Sequence, residues 1–181
     1  GSLAASGAVQ VSGSNGAVLD ISGAAAGVTL NNLSSASSVT GSVVLGNNTL
    51  TLNTTGARDV GLVISGAGGL TQTGTGTLTL SAANTYSGDT TVQAGTLVLT
   101  GSLNNATDVS LNGTSVWDLR AAQTVASLSM ASGSSITRGA GTSALTVSGA
   151  ASLANSVTTS GTQTYQGAVT LAAATTLSGS T

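Results

Sequence analysis

Short runs in which apolar and small polar residues alternate recur along the whole chain. Residues 49–52 and 77–80 both read TLTL, and residues 96–99 read TLVL. A period of two is typical of a β-strand with one buried face, and the β-branched residues Thr and Val suit a pleated sheet. No stretch has helical spacing. The pattern therefore predicts an all-β protein made of short strands.

Clusters of Gly, Asn and Ser separate these runs, for example at residues 46–48, 66–69, 104–105 and 112–113. Such residues tolerate the positive φ that tight corners require. Many short strands joined by turn signals are typical of a sandwich, a barrel or a solenoid.

Internal repetition favours the solenoid. Leu78-Thr79-Leu80 recurs as Leu97-Val98-Leu99 at a sequence offset of 19, and as Trp117-Asp118-Leu119 at a further offset of 20. Coils of about 20 residues that stack in parallel bury a narrow core. We therefore predict that residues 1–181 form a single parallel β-helix of roughly nine coils. Less regular intervals, such as the offset of 28 from Leu50 to Leu78, are explained here by loops of variable length.

The register of this repeat predicts which side chains form the core. Six residues are expected to lie inward in stacked layers: Leu78, Leu80, Leu97, Leu99, Trp117 and Leu119. Tyr86 and Tyr165 occur in similar contexts, and we interpret each as a corner plug whose hydroxyl reaches water or backbone. A sugar-binding platform of exposed aromatics is the alternative.

The composition argues against most classes of catalytic and metal-binding site. Gly, Ser, Thr and Ala supply 111 of 181 residues, and Cys, His, Pro, Phe, Lys and Glu are absent. Ordinary zinc, haem, iron–sulfur and thiol sites, and nucleophile–His dyads, therefore have no ligands or bases. We predict no cofactor and no metal. Three Arg and a net charge of −2 also predict no nucleic-acid partner, and the lack of an 18-residue apolar run predicts no membrane insertion.

The five Asp residues are the remaining candidates for catalysis or metal binding. Asp89 and Asp108 are separated by an offset of 19, so they are expected to stack on successive coils, while Asp59 follows Arg58. A calcium-binding solenoid repeat is absent, and the carboxylates do not cluster in sequence. We interpret Asp59, Asp89 and Asp108 as solvated residues and predict no catalytic residue.

Two further surface features have functional alternatives. Thr-x-Thr runs at residues 71–73 and 162–164 match the Thr ladders of water-ordering solenoids, but their irregular spacing argues against that function. Asn-x-Ser/Thr sequons, which an Asn- and Thr-rich chain acquires by chance, occur at Asn32, Asn47, Asn53, Asn105 and Asn112.

Residues 66–99 read GAGGLTQTGTGTLTLSAANTYSGDTTVQAGTLVL. This stretch resembles the passenger-associated transport repeat of bacterial autotransporters, with the pattern G-x-G-x-L-T-K-x-G-x-G-T-L-T-L-x-x-x-N-T-Y-x-G. Gln72 stands where Lys is usual and Asp89 where Gly is common, and both are expected at surface positions. Residues 161–181 are similar to repeats of filamentous-haemagglutinin-like adhesins.

The resemblance implies a right-handed parallel β-helix that Gram-negative bacteria export by a type V route and hold on the cell surface or release. It implies a non-enzymatic role in adhesion, aggregation or biofilm formation. The partner would be a receptor or glycan on a host or bacterial surface, with self-association also possible. A β-helix enzyme acting on glycans is the rival, and carboxylates converging in one groove would favour it.

The two ends of the chain lead to a last prediction. The start at Gly1-Ser2 without Met and the stop at Ser180-Thr181 indicate a piece of a longer exported protein, with Gly1-Ser2 a possible cloning scar. Residues 1–19 and 139–181 contain no charged residue. Because charges and Pro normally protect open strand edges, we predict weak end-to-end association or fraying.

Overall fold

The computed structural model describes residues 3–4, 10–12, 18–31 and 42–179. They form twenty-one β-strands and no helix, so this part of the chain contains no helix that could cross a membrane. The first ten strands are β1 (Leu3–Ala4), β2 (Gln10–Ser12), β3 (Val18–Asp20), β4 (Val28–Asn31), β5 (Ser42–Val44), β6 (Leu50–Asn53), β7 (Ala57–Val60), β8 (Val63–Ser65), β9 (Leu70–Gln72) and β10 (Thr77–Leu80). The others are β11 (Thr90–Val92), β12 (Thr96–Leu99), β13 (Asp108–Leu111), β14 (Val116–Leu119), β15 (Gln123–Val125), β16 (Ser127–Met130), β17 (Ser135–Arg138), β18 (Leu145–Val147), β19 (Ala151–Thr158), β20 (Gln163–Tyr165) and β21 (Val169–Ser178).

The strands wind into a parallel β-solenoid with three faces. Face A stacks β4, β6, β9, β11, β13, β16 and the first halves of β19 and β21. Face B stacks β7, β10, β12, β14, β17 and the second halves of β19 and β21. Face C contains β3, β5 and β8 at one end and β15, β18 and β20 at the other. The prediction of an all-β parallel solenoid is therefore confirmed.

The described residues make about seven turns of this solenoid. The predicted total of nine also counted residues 1–17 and 32–40, most of which lie outside the described part. Paired residues on face A are 20 apart from Leu50 to Leu70 and 23 apart from Leu128 to Ala151. The longer interval from Leu50 to Leu78 compares face A with face B, so the loop explanation offered for it was wrong.

The six residues expected in the core lie on the inner side of face B. Leu78 pairs with Leu97 and Leu97 with Trp117, while Leu80, Leu99 and Leu119 form the next inner column. All six are at most 1% exposed. Outward positions on the same strands carry Thr, Val and Asp. Alternation therefore separates inward from outward positions on these strands, and the outward Val98 is itself only 5% exposed.

Side-chain amides replace missing strand pairing in the middle of face C. Between β8 and β15 this face has one isolated bridge, from Ala83 to Ser102. The buried Asn84 accepts a hydrogen bond from the Ile64 N–H (3.0 Å) and donates to the Ser102 carbonyl (3.2 Å). Gln123 accepts from the Leu103 N–H (3.1 Å) in the same manner. The two amide oxygens thereby give the Ile64 and Leu103 N–H groups acceptors that strand pairing does not supply here.

The amino-terminal end of the solenoid is paired. Strand β2 runs antiparallel to β3, and β1 runs antiparallel to β4, so both described strands of the first turn have a neighbour on each side. The free edge at this end therefore belongs to β1 and β2, each of which lies at the end of its sheet and pairs with one described strand. Uncharged strand-forming residues here fold back onto the first turn.

Candidate functional site

The outer surface of face A carries an unbroken column of hydroxyl groups. The central outward position of each strand is Thr or Ser, and the register aligns these positions through eight successive strands. We call the column the hydroxyl ladder, and its members are Thr29, Thr51, Thr71, Thr91, Ser110, Ser129, Ser152 and Thr170. Neighbouring strands in a sheet are about 4.8 Å apart, so the ladder is a regular array along the rod.

Irregular sequence spacing concealed this array. Successive members are offset by 20 from Thr51 to Thr71, by 23 from Ser129 to Ser152 and by 18 from Ser152 to Thr170. A single column of hydroxyls therefore aligns despite irregular intervals. A Thr-x-Thr ladder does not form on every turn, because Thr91 lies between Asp89 and Gln93 and residues 162–164 lead into β20 on face C. Corners absorb the length differences, while strand pairing keeps the hydroxyls in register.

The ladder hydroxyls are open to a ligand. All eight residues are half-buried or exposed, and none of their hydroxyls bonds to another residue in the described ranges. The next outward column on face A consists of Asn53, Thr73, Gln93 and Asn112. The backbone N–H groups of Thr73, Gln93 and Asn112 each donate to a carbonyl of the preceding turn. The resulting surface is lined with hydroxyl and amide groups.

The Asp residues lie at the margins of this surface or on other faces. The pairing of Thr90 with Val109 places Asp89 beside Asp108 on successive turns, and both are exposed. Asp108 accepts a hydrogen bond from the Ser127 hydroxyl at 2.6 Å. In the described ranges no three acidic, His or Cys side chains converge on a point that could hold a metal ion.

The other three Asp side chains each accept a hydrogen bond from a nearby residue. Asp59 accepts from the Ser81 hydroxyl at 2.9 Å, and Asp118 pairs with the Arg120 guanidinium at 2.8 Å. Asp20 accepts from the Ser22 N–H at 2.9 Å. Each contact joins residues close together in the chain or on neighbouring turns, so we interpret these contacts as local and structural.

The aromatic residues face inward. Trp117 is fully buried between Leu97 and Ile136, which excludes it from a sugar-binding platform. Tyr86 is also fully buried, and its hydroxyl lies 2.6 Å from the Thr90 hydroxyl. The corner-plug interpretation of Tyr86 was therefore wrong about the hydroxyl, which reaches a side chain. Tyr165, on the last turn, is half-buried and donates to Gln163 at 3.0 Å.

Burial of Tyr86 makes stability sensitive to alkaline pH. Burial raises the pKa of its phenol well above the ordinary value, although the hydrogen bond to Thr90 opposes that rise. Above about pH 10 the unfolded chain ionises its Tyr while the folded chain does not, so the unfolding free energy falls. We expect a loss of about 1.4 kcal/mol per pH unit from this group, measured by urea unfolding.

The Y86F variant should lack this part of the alkaline loss, because Phe does not ionise. Burial raises the pKa of Tyr165 to about 12, so the matched Y165F variant should remove a smaller component that ends near that pH. Equal alkaline slopes for wild type and Y86F would contradict the assignment.

Gln72 was predicted to lie at the surface, but it is buried. It lies on the inner side of face A between Leu52 and Val92 and is 1% exposed. Its Nε2 donates to the Gly76 carbonyl at 3.0 Å and to the Thr96 carbonyl at 3.3 Å. Gly76 lies at the corner before β10, and Thr96 is the first residue of β12 on face B. A Lys, usual here in the repeat pattern, would also supply donors to these carbonyls. Asp89, the other departure, is exposed.

The sequons lie on the outside of the solenoid where they are described. Asn47, Asn105 and Asn112 are exposed, Asn53 is half-buried, and Asn32 lies outside the described residues.

Comparison with known proteins identifies one segment of the chain. Residues 70–99, which span β9 to β12, match the family model of the passenger-associated-transport-repeat. No curated protein and no solved structure matches the chain. The match confirms the resemblance seen in residues 66–99 and fits an autotransporter passenger.

Proposed function

Because residues 70–99 carry a passenger-associated transport repeat within a β-solenoid, we propose that this chain is a rigid, non-enzymatic segment of a bacterial surface adhesin. The repeat implies a secreted or cell-surface protein, and we place it on the Gram-negative outer surface after type V export. The proposed rod is a right-handed β-helix. Stacked backbone pairing makes such a rod stiff.

We assign the adhesive contact to the hydroxyl ladder and its amide neighbours. A column of hydroxyls without protein partners can exchange bound water for the hydroxyls of an extended glycan. Each neutral hydrogen bond contributes only about 0.5–1.5 kcal/mol, so useful affinity requires repetition along the rod. The shape and chemistry of the ladder supply that repetition. The acidic residues are not needed for this role.

Removing central hydroxyls from the ladder should weaken glycan binding. The test variant combines Thr71→Val, Thr91→Val and Ser110→Ala, which preserve side-chain size and remove three hydroxyls. Binding of the purified chain to an array of immobilised bacterial and host glycans should fall at least about tenfold, since three lost hydrogen bonds exceed about 1.4 kcal/mol.

The matched control makes the same changes on the outside of face B, at Thr77, Thr96 and Ser135, and it should bind like wild type. Equal binding by both variants would contradict the assignment of the ladder. Hydrolysis or lyase cleavage of any arrayed glycan by wild type, lost on Ala replacement of Asp59, Asp89 or Asp108, would instead favour the enzyme alternative.

The same ladder favours a second candidate function, which is the ordering of water or binding of ice. Eight hydroxyls aligned on one face are the observation that supports this candidate. Thermal hysteresis in wild type that disappears in the ladder variant, together with no glycan binding, would select this candidate over adhesion.

A further inference from the structure

An exposed corner between face A and face B contains an Asn followed directly by a Gly. Asn112 and Gly113 lie between β13 and β14, and both residues are exposed. The Ser115 N–H donates to the Asn112 carbonyl at 3.1 Å, which closes the turn. Gly113 has a φ of +57°, and a positive φ at the first central position of a turn suits Gly. Solvent therefore reaches the Asn112 amide in a short surface turn.

The backbone nitrogen of Gly113 is accessible to the side chain that precedes it. Its N–H makes no hydrogen bond to any described residue, so no protein acceptor holds it. Gly also lacks a Cβ, which leaves the space beside the nitrogen open. The nearest atom that a Cβ at Gly113 would meet is the Gln93 carbonyl oxygen at 3.4 Å. The Gly113 nitrogen and the Asn112 Cγ are therefore free to approach each other.

Two other exposed Asn residues differ from Asn112 in this respect. After Asn47, the Asn48 N–H donates to a main-chain carbonyl at 3.1 Å. After Asn105, the Ala106 N–H donates to the Asn104 Oδ1 at 2.9 Å. In both pairs the nitrogen is engaged and the following residue carries a Cβ. Exposure alone therefore does not give these residues the geometry found at Asn112.

We propose that Asn112 is a site of spontaneous deamidation. The Gly113 nitrogen attacks the Asn112 Cγ, and a new C–N bond forms as the bond from Cγ to the side-chain nitrogen breaks. The departing NH2 group takes the proton of the Gly113 N–H and leaves as ammonia, so the product is a cyclic succinimide. Water then adds to either succinimide carbonyl and opens the ring to aspartate or isoaspartate at position 112.

The reaction adds a negative charge beside the hydroxyl ladder. Asp108 and Ser110 point outward on β13 while Val109 and Leu111 are buried, and Asn112 continues the outward positions. A carboxylate at position 112 therefore places negative charge on both sides of Ser110. The reaction itself does not depend on the proposed adhesive role.

The isoaspartate product also lengthens the backbone by one methylene where successive corners stack closely. A Cβ added at Gly133, on the next turn, would lie 2.7 Å from the Gly113 carbonyl oxygen. A longer backbone at Gly113 therefore has little room on this side, and the isoaspartate form should melt at a lower temperature than the unmodified chain.

Incubation of the folded chain at mildly alkaline pH, followed by mass spectrometry of its peptides, tests the site. The peptide that contains Asn112 should gain the mass difference between an amide and a carboxylic acid. A methyltransferase specific for isoaspartate should label that peptide. Anion exchange should show a new species with one added negative charge.

Two matched variants locate the reaction. N112Q should remain in its original charge form, because its longer side chain does not place the amide carbon in position to close the same ring. N105Q makes the same exchange at another exposed Asn and should convert at Asn112 like wild type.

The chain unfolded in urea provides the reference for the effect of the fold. Absence of conversion at Asn112 in the folded chain, whether or not the unfolded chain reacts, would overturn the proposal. Conversion at Asn47 or Asn105 before Asn112 would also overturn it, as would an unchanged rate of charge gain in N112Q.

Discussion

Replacing Leu97 with Asp should unfold the central turns of the solenoid. Leu97 is 1% exposed and is stacked between Leu78 and Trp117 on the inner side of face B. Loss of the Leu side chain alone costs about 2–5 kcal/mol, and an unpaired buried carboxylate adds a further penalty. Because each turn depends on its neighbours, amides of β10, β12 and β14 should lose their exchange protection together.

The adjacent residue provides the control for this prediction. Thr96 lies on the same strand but points outward and is half-buried, so Thr96→Asp introduces the same charge on the solvent side. It should shift the melting temperature by only a few degrees. Similar destabilisation by both substitutions, measured by circular dichroism, would refute the inward stacking of Leu97.

Replacing Gly95 with Ala should cause the second large loss of stability. Gly95 has a φ of +73°, and an added Cβ would overlap the carbonyl oxygens of Gly76 and Gly74 on the turn below. A side chain in this backbone conformation costs about 1–2 kcal/mol, and displacing a packed neighbour costs about 1–3 kcal/mol more. We expect a decrease of about 2–5 kcal/mol in the unfolding free energy, measured with urea.

Gly56 gives a matched control because it stacks in the same column. The register places Gly56 before Ala57, Gly76 before Thr77 and Gly95 before Thr96 on successive turns. A Cβ added at Gly56 meets no described atom within 4 Å, so Gly56→Ala should change stability by less than about 1 kcal/mol. Equal effects of the two substitutions would show that close stacking of corners is not limiting.

The core of face B could be predicted because its information is local. Alternation of Leu with Thr identifies the inward side of each strand, and the near-constant interval of the repeat identifies Leu78, Leu97 and Trp117 as one column. The narrow core suits Leu and Val, so composition and periodicity agree. The repeat at residues 70–99 was recognisable for the same reason.

Gln72 and the amino-terminal strands could not be predicted in this way. A polar residue in an alternating pattern normally points outward, whereas Gln72 occupies an inner position where two backbone carbonyls accept its amide hydrogens. The antiparallel pairing of β1 and β2 depends on contacts between distant segments. No local pattern in residues 1–19 distinguishes such strands from a further turn.

The sequence by itself determined that the fold is all-β, that its strands stack in parallel turns, and that Leu and Val fill the core. Those properties follow from alternation and composition, which act within a strand or a turn. Only the tertiary structure decided which residues share a face. The hydroxyl ladder joins Ser129 to Ser152 at an offset of 23 and Ser152 to Thr170 at an offset of 18, because corner length varies while hydrogen bonding between strands maintains the register.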